Sequence, residues 1–162
     1  MSKNMYPLIT NNIIVIFVHM CICHLFYIPI IFMWELWSGD ITNSGLMNIL
    51  FGLLMVGTYT AIILYLYFWA GKKFLKNTHH LLTNIFSVIV PAIIILALLV
   101  YKGTWIFLFL IPFTPLGEII SSFFQIGEPY SLIPYFFLVV FLPSLTMLAG
   151  MMAKQWKCRL PW

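Results

Sequence analysis

The chain has 162 residues, 63% hydrophobic and 18% aromatic, with only 7% charged and a mean hydropathy of +1.04. Soluble domains carry about a quarter charged residues and roughly half apolar ones. This composition therefore excludes a water-soluble globule, a disordered chain and a nucleic-acid-binding module working through a basic face. Eight basic and four acidic side chains make the net charge +4, and their placement carries most of the information.

Four windows, 4–34, 41–71, 77–101 and 129–153, hold no formal charge, and each is at least 25 residues long. About 20 apolar residues suffice to cross the hydrocarbon core of a bilayer. The pattern predicts four transmembrane helices near 13–34, 46–70, 84–101 and 131–151. The expected fold class is an all-α integral membrane protein, one polytopic domain over 1–162.

The first apolar run is longer than the core of a secretory signal and has no small-residue cleavage site after it, so it reads as a span. It carries His19-Met20-Cys21-Ile22-Cys23-His24. At 100° per residue His19 and Cys23 lie within about 40° of each other. With ligands from a neighbouring helix, His19, Cys23 and His24 would suit Cu(I) or Zn(II). No other span holds a histidine or an acid, so ordinary packing of small, buried cysteines is the simpler account. No metal and no cofactor is expected. His24 lies about 16 Å from the start of the span, near the bilayer midplane. An ionisable group at that depth is by default a functional candidate. Thr58 of the second span and Ser144 of the fourth reach similar depth, which suggests a His24–Thr58–Ser144 polar layer or ion pathway.

An acidic connection, 35–45 with Glu35 and Asp40, leads into the second span. That span contains Gly57-x-x-x-Ala61, a small-residue pattern that lets helix backbones approach. The basic loop 71–83 follows. Its Lys72, Lys73 and Lys76 are candidates for contact with anionic lipid, beside their plainer role in setting orientation. The third span ends at Lys102.

Residues 104–127 are apolar but interrupted by Pro112, Pro115, Gly117 and Glu118. Proline breaks the helical ladder, and unpaired backbone groups in lipid cost several kcal/mol. A re-entrant or interfacial segment on the outer side is expected here in preference to a fifth span. Glu118 and Glu128 sit on this connection as candidate cation or proton groups, or as residues that keep it in water. The fourth span brings a second small-residue face, Thr146-x-x-x-Gly150. Pro29, Pro91 and Pro143 each fall inside a span, and the tryptophans gather near span ends, as at membrane interfaces.

Seven of the eight basic residues belong to the N-terminal tail, the loop 71–83 and the C-terminal tail, which hold no acid. Basic residues beside spans stay cytoplasmic, so both termini are expected inside, in a plasma membrane. No cysteine falls in an outer loop, where an oxidising compartment would pair it.

No nucleophile, Gly-rich phosphate loop or metal-binding acid pair accompanies Glu118 and Glu128, which weighs against an enzyme. The leading functional expectation is a non-catalytic accessory, assembly, immunity or resistance subunit. It would work by helix docking against a membrane-protein partner or its own copies. A small oligomeric transporter or channel using His24 and the 104–127 hairpin is the alternative, followed by a membrane enzyme or metal/redox protein.

Overall fold

The computed structural model describes residues 5–40, 46–78, 80–101 and 132–159; over 30–40, 46–49, 98–101, 132–140 and 155–159 it gives the backbone course alone. These residues form four helices, α1 (Met5–Asp40), α2 (Leu46–Phe74), α3 (Leu81–Tyr101) and α4 (Leu132–Arg159), and residues 75–78 and 80 are a non-helical connection. The segment 104–127, with Glu118 and Glu128, lies outside the described residues.

Each helix overlaps one of the windows expected as spans, and α1, α2 and α4 run past theirs. α1 begins at Met5 and continues through 35–40, a stretch expected as connection; α4 runs on through Lys154 and Lys157. The physical reason is simple. A charged side chain does not by itself end a helix, because the backbone hydrogen bonds continue beneath it. Pro7 does not oppose the start of α1, because it lies in the first turn, where amide protons have no intrahelical acceptor. Pro29, Pro91 and Pro143 stay inside α1, α3 and α4.

α2 packs most extensively on α4 and α1 on α3; α3 also packs on α4, and α1 on α2. The bundle therefore runs α1–α2–α4–α3 around its perimeter, with consecutive α2 and α3 on a diagonal. Contacts between Asn11 and Lys76, His19 and Tyr67, and Phe26 and Tyr59 show α1 and α2 antiparallel. The buried positions recur at helical spacing: Asn11, Val15, His19, Ile22 and Cys23 on α1, and Val56, Tyr59, Ile63, Tyr67 and Ala70 on α2. Such a stripe is what lets helices pack side by side.

Several polar side chains stand within a mainly apolar core, and several large apolar side chains face outward. Asn11, His19, Asn84, Ser87 and Ser144 are buried, whereas Ile13, Phe17 and Leu54 are each more than 60% exposed. Water-soluble proteins bury the second kind and expose most of the first. Tyr6–Phe26 of α1 and Gly52–Phe74 of α2 are long and apolar enough to cross a membrane; Leu81–Ile95 is a shorter apolar stretch.

Candidate functional site

The polar side chains of α1 converge on α2 at two levels. At the first, the Asn11 amide pairs with the backbone just beyond α2. Its Nδ2 donates to the Lys76 carbonyl at 2.8 Å, and the Lys76 amide donates to Asn11 Oδ1 at 2.9 Å. This satisfies both backbone groups of a residue that has left its helix. Asn84 performs the matching task from α3. The Thr78 amide and hydroxyl donate to Asn84 Oδ1 at 2.9 and 2.8 Å, and Asn84 Nδ2 donates to the Thr78 carbonyl at 3.0 Å. The short connection between α2 and α3 is thus pinned from both sides by buried asparagines.

About two turns further along α1 lies the second level. His19 Nδ1 is 2.6 Å from the Tyr67 hydroxyl, and Cys23 Sγ is 3.7 Å from His19 Nε2. All three side chains are almost wholly buried. A neutral imidazole has one donor and one acceptor nitrogen. In either tautomer, Tyr67, His19 and Cys23 form one hydrogen-bonded chain with both ring nitrogens engaged. Tyr59 borders it, its ring edge-on to Phe26 at 5.5 Å; its buried hydroxyl has no hydrogen-bond partner among the described residues.

Chemically, such a chain can pass a proton by tautomer exchange, or hold α1 at a fixed rotation and height against α2. As a metal site it offers His19 and Cys23 from one helix face. Among the described residues no three histidine, cysteine or acidic side chains come together as ligands.

The anticipated His24–Thr58–Ser144 layer is not assembled. His24 and Thr58 are exposed, and only Ser144 faces the core. Thr58 donates its hydroxyl back to the Leu54 carbonyl at 2.8 Å. The expectation rested on position along the helix, but rotation about the axis decides what His24 meets. His19 and His24 are five residues apart, hence about 140° apart around α1. The same rotation removes His24 from the ligand set with His19 and Cys23.

The small residues divide likewise. Gly57 and Ala61 are exposed, and a Cβ added at Gly57 would meet nothing within 4 Å. Gly150 is buried where α4 crosses α2, and a Cβ there would collide with the Phe68 carbonyl. Thr146 is half-buried and donates to the Leu142 carbonyl at 2.6 Å. Gly71 is the counterpart of Gly150 that the sequence pattern missed: its Cβ would collide with the Met147 backbone. Lys72, Lys73 and Lys76 are exposed, with Lys73 Nζ 4.6 Å from the centre of the Trp69 ring.

Asn11, Asn84 and Tyr67 were also missed. Uncharged polar residues leave the charge-free windows intact, although a buried asparagine costs enough to demand partners. Set beside known proteins, the chain matches no family model, no curated protein and no solved structure.

Proposed function

We propose that this chain is a small multi-pass membrane protein acting as a non-catalytic accessory, assembly, immunity or resistance subunit by docking its helices against a membrane-protein partner. In this reading it has four spans with both termini cytoplasmic in the plasma membrane. The observation that carries it is a bundle whose buried polar side chains are paired inside while large apolar side chains face outward. Asn11, His19, Tyr67 and Asn84 are engaged with one another or with the connection 75–80, while large apolar side chains and the bare Gly57–Ala61 face point outward. Lipid tails and the apolar face of a second membrane helix are the environments that suit such an exterior.

Affinity purification of the tagged protein from native membrane in mild detergent tests the proposal. A stoichiometric membrane-protein partner is expected. A monodisperse homo-oligomer with nothing else attached would overturn it. Labelling of Cys158 from one side of sealed vesicles tests the orientation independently.

The buried Tyr67–His19–Cys23 chain favours a second reading, a small transporter or channel in which that chain relays protons. Proton flux in liposomes that is lost in a folded His19→Leu protein would support it.

A further inference from the structure

α1 and α2 meet closely at Asn11–Lys76 and at His19–Tyr67, but on one side they leave an open groove of about 290 Å³. Its walls are apolar: Phe17, Cys21 and Leu25 on α1, and Leu66, Trp69 and Phe74 on α2. Among the described residues, Lys73 stands at the rim. Lys73 Nζ lies 4.6 Å from the centre of the Trp69 ring and 5.6 Å from that of Phe74, the two aromatic walls at that end. Lys76 Nζ is 5.6 Å from the Tyr6 ring at the same end of the helix pair. No acidic side chain is described near either lysine. An amphipathic cation held against aromatic faces keeps its charge at the interface while its stem covers apolar surface.

An apolar trough ending under an ammonium group matches one kind of molecule, an alkyl chain bearing an anionic head. We propose that the groove binds an anionic phospholipid, one acyl chain lying along Phe17, Cys21, Leu25 and Leu66 and its phosphate meeting Lys73 with Lys76 beside it. The inference rests on the chain being a membrane protein but not on its having a protein partner. Any lipid can fill the trough, so the distinguishing property is headgroup selectivity. A basic residue near an anionic membrane surface favours binding about fivefold, and the two lysines together therefore set the scale.

The test reconstitutes the full chain into phosphatidylcholine vesicles containing a minority of phosphatidylglycerol, extracts it gently and identifies retained lipid by native mass spectrometry. Retained phosphatidylglycerol is expected to exceed its bulk share by about 5–25-fold. The double substitution Lys73→Gln/Lys76→Gln returns retained lipid to the bulk ratio. Cys21→Trp, which fills the trough from an exposed position, lowers the amount of lipid retained although both lysines are intact. Lys154→Gln, on α4 and outside the groove, leaves the enrichment unchanged. Circular dichroism checks that each variant remains helical. Retention at the bulk ratio by the unaltered chain, or enrichment that survives the double substitution, overturns the proposal while leaving the membrane reading intact. A chain that fails to enter vesicles sinks both.

Discussion

α2 is joined to its two neighbours by opposite means. Against α1 the seam is fixed by hydrogen bonds set among apolar contacts, with Asn11 on the Lys76 backbone and His19 on the Tyr67 hydroxyl. Against α4 it is made of missing side chains, with Gly71 and Gly150 letting one backbone rest on the other. The contrast shows two ways to specify a helix contact. Hydrogen bonds fix register because they form at one height and rotation only. Glycine pairs fix distance, and they gain dispersion over every atom brought close. The first seam tolerates small changes in separation, and the second tolerates none.

The largest effect should therefore come from the glycine seam. Gly71→Val or Gly150→Val pushes side-chain atoms into a backbone that cannot rotate away. Each should lower stability by at least the roughly 1–3 kcal/mol of ordinary overpacking, read as a shifted unfolding midpoint in a micelle titration. The double variant should cost less than the sum, because either substitution alone already separates α2 from α4. Full additivity would mean that the two glycines guard separate contacts.

The hydrogen-bonded seam should fail more locally. Asn11→Leu strands the Lys76 amide and carbonyl at a partly buried site, a loss of about 1–3 kcal/mol that water recovers in part. Limited proteolysis should cut faster within 75–80, with the helices protected as before. Loss at the second level should be milder. His19→Leu and Tyr67→Phe should each cost on the order of 0.6–1.7 kcal/mol, the range found for hydrogen bonds between membrane helices. A double-mutant cycle should show that the double variant costs less than the two single losses together. A coupling near zero would mean the 2.6 Å contact contributes packing and no hydrogen-bond energy.

The same division explains what could be read without coordinates. The helices were legible because the charge-free windows at 4–34, 41–71, 77–101 and 129–153 overlap them, although α1, α2 and α4 run on past the charges that end their windows. Azimuth was not legible. Apolar residues occur all around α1 and α2, with Ile13 and Phe17 outside and Val15 and Ile22 inside, so no apolar stripe marks the buried face. His24 then looked as inward as His19, and Gly57 as close-packed as Gly71. The one clue was the four-residue step from His19 to Cys23, which places them on a shared face. The amides of Asn11 and Asn84 escaped because they act on a connection whose course is set only once α2 and α3 are on a diagonal.

Gly57 is the opposite case to Gly71 and Gly150, a glycine against which no described residue packs. In an exposed helix position glycine is less favourable than alanine by about 0.5–1 kcal/mol. If the chain worked alone, Gly57→Ala should raise stability by about that much and change nothing else. If the face formed with Ala61 receives a partner helix as Gly71 receives Met147, a bulkier Gly57→Leu should leave stability of the isolated chain nearly unchanged. It should nonetheless remove the partner from material purified out of native membrane. Undiminished partner recovery with Gly57→Leu would move the docking surface to another side of the bundle, because a glycine contact of the kind seen at Gly150 leaves no room for a leucine.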